Sequence, residues 1–360
     1  MSKNINEYGS EFDWDSNKEF IKIKLNNFNS DRVLLLRSGR DALALIANKY
    51  KNSYKNVIFP ALCCESMVTP FIRNNYKIQY YKLNKDLSGD IEDIAKKMQE
   101  DTIFVYMNYF GIKSLEEEFI KSMKDKFNNI VIIEDKTQDI LVDLDRLKRI
   151  KVQDYLVCSL RKWMALPDGG LLYTNQSMGK EFEAIENNIF SDLRLEAMKE
   201  KSNYIKSGDE KIKECFRNKL TKSNEYLNND FNIVKISKSS INIIQNIDLE
   251  QIKLVRKNNV NYLINKLKEV KGITSIYKSS DLGNLYYPIL VKNRDEIQFK
   301  LAQKNIYCPV IWPLPKGSVG ICNVSNYISE HMLAIPCDQR YTEDDMNYIC
   351  STLKLIMEEK

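Results

Sequence analysis

Two apolar stretches, NIVIIEDKTQD at 129–139 and DYLVCSLRKWMALPDGGLLYT at 154–174, decide the fold of this chain. Each contains a short run of β-branched, aliphatic or aromatic residues, which is typical of a buried strand. The first run stops at two acids, and the second stops at a tight turn that carries Lys162 ahead of two glycines. In open α/β sheets ligands bind at such strand ends, so the two stretches predict both a sheet and the position of a site.

Strand and helix patterns alternate from about residue 33 to about residue 140. This βαβ rhythm predicts an α/β fold, with a mostly parallel sheet and helices on both of its faces. The chain then becomes helical and polar, and its last ninety residues return to a mixed pattern. We therefore predict a large α/β domain at 1–240, which includes the N-terminal lead, and a smaller α+β domain at 241–360.

The composition is that of an ordinary globular protein, with 43% hydrophobic and 29% charged residues. The net charge of +5 is not concentrated in a basic block with interleaved aromatics, so no nucleic-acid groove is predicted. The polar start lacks the apolar core of a signal peptide, and no run of 18 apolar residues predicts a membrane span. We expect a cytoplasmic protein.

The cysteines and the single histidine restrict the kinds of catalytic site that are expected. The eight cysteines are scattered without a C-x-x-C pair, so we expect reduced thiols, several of them in the core. The only histidine, His331, makes a histidine-based zinc site and any two-imidazole mechanism improbable. No nucleophile elbow accompanies it. The chemistry must come from lysine, from carboxylates or from a cofactor.

Asp135 and Lys162 each allow two interpretations. A carboxylate at the end of a strand can keep a pyridine nitrogen protonated, or it can simply cap the next helix. A lysine on a constrained turn can form an imine with an aldehyde cofactor when its pKa is depressed, and Arg161 offers a neighbouring cation. The alternative for Lys162 is an ordinary solvated charge.

Ser38 and Gly39, within RSGRDAL at 37–43, precede a helical pattern. Free backbone N–H groups and the helix dipole make such a start a phosphate site, although a plain N-cap is the alternative. Ser159 is placed to donate its hydroxyl to the same phosphate. The glycine pair before the strand at 171–174 has no third glycine and no following helix, so it is not a dinucleotide fingerprint.

These motifs together resemble those of the DegT/DnrJ/StrS family of pyridoxal-phosphate (PLP)-dependent sugar aminotransferases. That family typically shows S-G-T-x-A-L, then E-D-x-x-Q, then S-F-x-x-x-K followed by an acid and paired glycines. RSGRDAL, EDKTQD and CSLRKWMALPDGG match in order and approximate spacing, and NIYCPVIWPLP at 305–315 resembles a C-terminal element of the family. The resemblance covers most of the chain and implies the type I aminotransferase fold.

The resemblance also implies roles for individual residues. Lys162 would carry PLP as a Schiff base and shuttle protons, Asp135 would pair with the pyridinium nitrogen, and Gln138 would lie near the ring oxygen. The phosphate would be held by Ser159 and by the turn at Ser38, Gly39 and Arg40. Such enzymes are usually homodimers in which the partner subunit completes each active site.

Four departures from the family pattern affect the site. Arg40 replaces the threonine after Ser-Gly, and Cys64 or a neighbour stands where an aromatic residue usually stacks on the ring. The serine-to-lysine spacing is shorter, because S-L-R-K replaces S-F-x-x-x-K. The asparagine-tyrosine-arginine element that normally follows the lysine is not recognisable.

The expected function is transfer of an amino group from an amino acid, with glutamate as the expected donor, to a keto-sugar carried on a nucleotide. Surface glycan or related amino-sugar biosynthesis is the expected setting. Another PLP reaction on an amino acid or a carbonyl compound stays open, and so does a non-catalytic regulator of the same fold. Lys162 argues against the dehydrating branch of the family, which lacks the lysine.

Overall fold

The computed structural model describes residues 5–21, 31–143, 152–179 and 182–359. Within these ranges seven strands form the main sheet: β1 (Val33–Leu36), β2 (Asn56–Pro60), β3 (Lys77–Tyr81), β4 (Thr102–Met107), β5 (Ile130–Asp135), β6 (Tyr155–Ser159) and β7 (Gly170–Thr174). Their order is β1-β7-β6-β5-β4-β2-β3. Neighbouring strands from β6 to β3 run parallel, and β7 is antiparallel to both of its neighbours.

The helices are α1 (Gly39–Tyr50), α2 (Glu65–Arg73), α3 (Ile91–Lys97), α4 (Glu117–Lys126), α5 (Ile140–Asp143), α6 (Ile189–Ser207), α7 (Glu210–Asn229), α8 (Lys238–Asn246), α9 (Leu249–Leu267), α10 (Arg294–Ala302), α11 (Asn323–His331) and α12 (Glu343–Glu358). Short 3₁₀ helices cover Trp14–Phe20 and Leu160–Lys162. A second, antiparallel sheet has the order β10-β9-β8, from β8 (Ile273–Ser275), β9 (Tyr287–Val291) and β10 (Met332–Ile335).

The predicted α/β class and the mostly parallel sheet are confirmed. Every residue of β4, β5 and β6 is buried, as expected for strands covered on both faces. Their register pairs Met107 with Asp135 and Asp135 with Val157, so the carboxyl ends of the three strands meet at one edge. The sheet therefore brings Asp135 and Ser159, which ends β6, to the same edge.

Several other expectations have clear outcomes. All eight cysteines are free, and six of them are buried. The apolar pattern of Ile306–Pro315 predicts a strand that closes on prolines, and this prediction is wrong: within the segment only Ile306 forms a β-bridge, to Tyr8. Three prolines in this segment lack the N–H that a ladder needs. No helix in the described part of the chain is long and apolar enough to cross a membrane.

The spacing of Thr342 and Asp345 in the sequence predicts a capping box, and it is present: the two residues exchange side-chain and backbone hydrogen bonds at the start of α12. The boundary between domains at residue 240 stays a prediction. The main sheet ends at Thr174 and the second sheet begins at Ile273, with α6 to α9 between them in sequence.

Gly170, the first residue of β7, permits a close approach of two backbone segments near the site. A Cβ at this position would lie 2.1 Å from the carbonyl carbon of Ser38 and 2.6 Å from the nitrogen of Gly39. Both neighbours are backbone atoms and cannot rotate away. Glycine is therefore required for β7 to pass against the turn that precedes α1.

We expect Gly170→Ala to lower the free energy of unfolding by about 3 kcal/mol or more, because the new methyl group must displace backbone. Gly317→Ala is the matched control: its Cβ would meet only the Tyr80 side chain, at 3.2 Å. The control should stay within about 1 kcal/mol of the unaltered protein. Urea unfolding of the three proteins measures the difference, and equal stability of both variants would contradict the packing argument.

Candidate active site

A cleft with about 570 Å³ of empty space opens at the edge where β4, β5 and β6 end. Seven of the eight residues predicted from the sequence line it: Ser38, Gly39, Arg40, Cys64, Asp135, Ser159 and Lys162. The eighth, Gln138, lines a second cleft, which shares Arg161, Lys162 and Trp312 with the first. The fold thus brings all eight residues to two adjoining clefts, here called the first and the second cleft.

Lys162 ends the short 3₁₀ turn after β6 and lines both clefts. Its ammonium group makes no hydrogen bond or ion pair with any other described residue. The backbone beside it is fixed, because the Trp163 carbonyl accepts from Arg256 Nη2 at 3.1 Å and from Gln339 Nε2 at 2.9 Å. The Trp163 indole donates to the carbonyl of Thr137 at 2.8 Å. An unpaired amine is thus held on a rigid turn.

Asp135 is buried at the end of β5, with 5% of its surface exposed. Burial raises the pKa of its carboxyl group, while hydrogen bonds from Thr137 and the positive charge of Lys162 act in the opposite direction. The Thr137 N–H donates to Asp135 Oδ1 at 2.8 Å. Asp135 and Lys162 therefore face one cleft, as predicted. One oxygen of Asp135 also accepts from the Thr137 N–H, so the capping interpretation applies as well.

At the start of α1, Ser38 is an N-cap and also belongs to a turn that can bind a phosphate, so both interpretations from the sequence apply. Its hydroxyl donates to Asp41 Oδ2 at 2.5 Å and accepts from the Asp41 N–H at 3.2 Å, so the side chain is an N-cap. The N–H groups of Gly39 and Arg40, at the first turn of the helix, have no acceptor within the described ranges. Together with the positive end of the helix dipole they form a phosphate-type turn.

Ser159 lies on the opposite side of this turn. Its N–H donates to Thr137 Oγ1 at 3.1 Å, while its hydroxyl has no hydrogen-bond partner among the residues that the structure describes. A Cβ on Gly39 would lie 3.2 Å from the carbonyl oxygen of Cys158, so β6 and α1 pass close to each other here. The hydroxyl of Ser159 and the free N–H groups of α1 line the same cleft.

Gln138 and Cys64 occupy the other predicted positions. Gln138 is 1% exposed, and its Oε1 accepts from the Phe110 N–H at 2.7 Å, which leaves the amide NH₂ directed elsewhere. Cys64 is partly buried, and its thiol lies 3.1 Å from the hydroxyl of Ser66. Neither position supplies an aromatic ring to the first cleft.

Two residues of the site, Trp312 and Thr137, were not predicted from the sequence, and Arg161 was predicted only as a cation beside Lys162. Trp312, in the segment that failed to form a strand, is the aromatic residue that lines both clefts. Thr137 connects the ends of β5 and β6 with the lysine turn through the hydrogen bonds given above, and Arg161 lines both clefts. No local sequence pattern connects Trp312 with the site, since it follows Lys162 by some 150 residues. Thr137 and Arg161, in contrast, lie inside the quoted motifs.

The second cleft, with about 1110 Å³ of empty space, is wider and more charged. It is lined by the N-terminal residues Gly9 to Phe12, by Arg256, Leu285 and Tyr286, by Pro309 to Trp312, and by Asp338 and Arg340, besides Gln138, Arg161 and Lys162. The lining has four cationic side chains against two carboxylates, from Glu11 and Asp338. Such a cleft attracts anionic ligands.

The residues of the first cleft fit PLP. A buried carboxyl group, an unpaired lysine, an unpartnered serine hydroxyl and free N–H groups at a helix start supply the partners that its ring nitrogen, its aldehyde and its phosphate require. With the seven-stranded, mostly parallel sheet, this arrangement defines the class of the protein as a type I PLP-dependent transferase fold.

Residues 18–354 match the model of the DegT/DnrJ/EryC1/StrS aminotransferase family, and the chain belongs to this family. Its members are PLP-dependent aminotransferases. The resemblance found in the sequence, the aminotransferase class and the cofactor are therefore confirmed. Comparison with curated proteins gives no significant match.

Solved structures of low sequence identity share the fold. The aminotransferase TlmJ from Streptoalloteichus hindustanus is 12% identical with a TM-score of 0.65, covering 100% of this chain and 99% of its own. NtdA from Bacillus subtilis with bound cofactor PMP is 16% identical with a TM-score of 0.63, over 91% and 73% of the two chains. The sugar aminotransferase CalS13 from Micromonospora echinospora is 13% identical with a TM-score of 0.58, over 90% and 87%.

Lys201 on α6 anchors the N-terminal residues that border the second cleft. Its ammonium group donates to the Glu11 carbonyl and to the Ser10 hydroxyl, and it lies 3.4 Å from the Glu7 carboxylate. Burial, together with the charge of Arg340, lowers the pKa of Lys201 to about 8, against the pull of Glu7 and other acids. The buried charge therefore costs stability wherever the lysine is protonated.

We expect the free energy of unfolding to rise with pH between about 8 and 10, because the unfolded lysine, with a pKa of about 10.4, still binds a proton that the native lysine has lost. The contribution of Lys201 is at most about 1.4 kcal/mol per pH unit. In Lys201→Met the unfolding free energy should rise less steeply with pH over this range. In Lys206→Met, at an exposed lysine of the same helix, the slope should be unchanged. Urea unfolding at several pH values measures the slopes, and parallel curves for all three proteins would contradict the assignment.

Proposed function

We propose that this chain transfers an amino group from an amino acid, with glutamate as donor, to a keto-sugar carried on a nucleotide, and acts in surface glycan or related amino-sugar biosynthesis. The observation that carries the proposal is the convergence of an unpaired Lys162 and a buried Asp135 on one cleft, beside a phosphate-type turn. Family membership supports amino transfer, and the charge of the second cleft supports an anionic substrate.

Asp135 acts on the ring of the cofactor. Bound PLP supplies an electron sink for the carbanion that forms at the α-carbon of the amino acid. Asp135 stabilises a proton at the ring nitrogen, because its carboxyl group is buried at the floor of the cleft and has one oxygen free of the Thr137 N–H. A carboxylate in such a dry site interacts more strongly with a cationic ring than it would in water.

Lys162 attaches the cofactor and then moves protons. Its amine has no ion-pair partner within the described ranges, so the side chain would be available to hold the aldehyde group of the cofactor. The same amine would serve as the base that accepts and returns the α-proton of the amino acid. The turn held by Arg256, Gln339 and Thr137 keeps the lysine within reach of both positions.

The second cleft binds the two substrates in turn. Arg256 and Arg340, the two cations that line it without lining the first cleft, suit the α-carboxylate of an amino acid and the diphosphate of a nucleotide-linked sugar. Gln138, whose carbonyl oxygen accepts from the Phe110 N–H, would have its NH₂ left to donate to the ring oxygen of the cofactor. Trp312, rather than Cys64, would supply the aromatic ring beside the cofactor, because it also lines the first cleft.

We also propose that the enzyme is a cytoplasmic homodimer. Phe231, two-thirds exposed, is fixed against the guanidinium of Arg73 at 3.8 Å, next to a surface cleft that includes Arg40 of the first cleft. An exposed aromatic residue so close to the site suits contact with a second copy of the chain. Sedimentation equilibrium tests the dimer.

Adding PLP to the purified protein should produce a visible absorption band that borohydride fixes covalently to Lys162. Lys162→Ala should lose the covalent product, and Lys113→Ala, at an exposed lysine, should retain it. Peptide mapping by mass spectrometry identifies the modified residue. Attachment to another lysine, or no band at all, would rule out the proposed role of Lys162.

Glutamate alone should then bleach this band as the cofactor takes up the amino group, and a panel of nucleotide-linked keto-sugars should restore it. No change with glutamate would exclude it as the donor. Bleaching without recovery by any keto-sugar would favour a different carbonyl substrate.

Asp135→Asn should retain covalent attachment and slow the glutamate half-reaction about 10²- to 10³-fold, the scale of removing one preorganised electrostatic group. The control is Asp86→Asn, which lies in an exposed turn. Stopped-flow spectroscopy measures the rates. An unchanged rate in Asp135→Asn would show that this carboxyl group does not act on the ring.

A further inference from the structure

We infer that Arg40 and Arg161 bind the phosphate dianion of the cofactor, so that this chain replaces the neutral hydroxyl contact of its family with a pair of cations. The inference rests on the proposed function in one respect, since it takes PLP as the occupant of the first cleft. Both arginines line that cleft together with Gly39 and Ser159.

Arg40 is only partly satisfied by the protein. Its Nη1 donates to the Leu227 carbonyl at 3.1 Å and to Asn228 Oδ1 at 2.8 Å, and both acceptors are neutral. Its Nε is buried without a hydrogen-bond partner in the described part of the chain. Asp41, the next residue, is held by Arg37 through two hydrogen bonds of 2.7 and 3.2 Å.

Arg161 is the less compensated of the two. Its Nε is also buried without a partner among the described residues, and none of its nitrogens has an ion pair there. Burial, together with the positive charges of Arg194 and Arg40, lowers the pKa of Arg161 to about 10. Glu11 opposes this effect, but its carboxylate bonds Arg194 Nη2 at 2.6 Å.

Arg161 and Arg194 thus share one carboxylate, that of Glu11, within the described ranges, and Arg40 adds a third guanidinium group whose hydrogen-bond acceptors there are neutral. Arg194 is buried, whereas Arg40 and Arg161 are half-buried, and the Nε and Nη1 of Arg194 have no partner in that part of the structure. Burying like charges together is costly unless an anion compensates them. A phosphate dianion carries the two negative charges that this cluster lacks.

The position of the cations suits the phosphate end of the cofactor. Guanidinium groups present forked N–H donors that match phosphate oxygens, and the unpartnered Ser159 hydroxyl and the free N–H groups of Gly39 and Arg40 face the same space. The shortened S-L-R-K spacing places Arg161 directly between Ser159 and Lys162 on the turn. Two departures from the family pattern, Arg40 and the shortened spacing that contains Arg161, are thus explained by the same role, which is to bind the phosphate.

The test compares PLP with pyridoxal, which lacks the phosphate. Arg161→Gln and Arg40→Gln should each weaken PLP binding to the apo-protein about ten- to a hundredfold, the scale of a charge-assisted hydrogen bond, and change pyridoxal binding little. Arg161→Lys should recover part of the loss. Arg217→Gln, at an exposed arginine of α7, is the control and should bind both ligands normally.

Fluorescence titration gives the dissociation constants, and the ³¹P resonance of bound PLP should shift in Arg161→Gln relative to the unaltered protein. Circular dichroism checks that each variant is folded. If Arg161→Gln does not fold, Arg161→Lys is measured in its place. Equal loss of PLP and pyridoxal binding, or unchanged PLP binding, would overturn the inference. Loss of uridine diphosphate binding with PLP binding intact would also overturn it and assign the arginines to the substrate.

The same titrations in a Lys162→Ala background separate this inference from the proposed function. There PLP binds without covalent attachment, so the arginine effects must persist if the pair binds the phosphate. If the unaltered protein forms no covalent product but Arg161→Gln still loses selectivity for PLP over pyridoxal, the proposed chemistry fails and the phosphate site stands.

Discussion

The site depends on one close contact between two backbones. The first residue of β7, Gly170, lies so near to Ser38 that no side chain fits between them. The Gly169 N–H donates to the Arg37 carbonyl at 2.8 Å, and the Leu160 N–H donates to the Gly169 carbonyl at 3.0 Å. These bonds join the start of α1, the end of β6 and the lysine turn into one unit. The phosphate-type turn and Lys162 therefore occupy fixed relative positions before any ligand binds.

Charge is distributed unevenly around this unit. On the side of β5 the buried Asp135 faces Lys162, and Thr137 holds the acid in place through its N–H. On the side of α1 and α6 the guanidinium groups outnumber the carboxylates near them. The first cleft is thus acidic at its floor and cationic at the opposite end, which is the polarity of a cationic ring that bears an anionic phosphate group. A ligand of that polarity is oriented by electrostatics alone.

The second cleft is assembled from segments far apart in the chain. Residues 9–12, the segment at 309–312 and the pair Asp338 and Arg340 meet around Lys162. Arg340 connects two of these segments, because it donates to both oxygens of Asp338 at 2.8 Å and to the Ser10 carbonyl at 2.9 Å. Amino transfer needs a site that admits two different substrates in turn, and a cleft walled by separate segments meets that need.

The sequence by itself determined the sheet, the aminotransferase family, the cofactor and the eight residues that the fold brings to the two clefts. It did so because strand burial, helix capping and the lysine turn depend on local patterns of a few residues. The tertiary structure alone decided that Trp312 faces the clefts, that residues 9–12 border the substrate side, and that Arg194 adds a third cation beside Glu11. These placements arise from packing between segments hundreds of residues apart, which leaves no local pattern to read. Arg161 shows the division most clearly: its position beside Lys162 is evident in the sequence, but only the fold places it near Arg194 and Arg40 and leaves its Nε without a partner among the described residues.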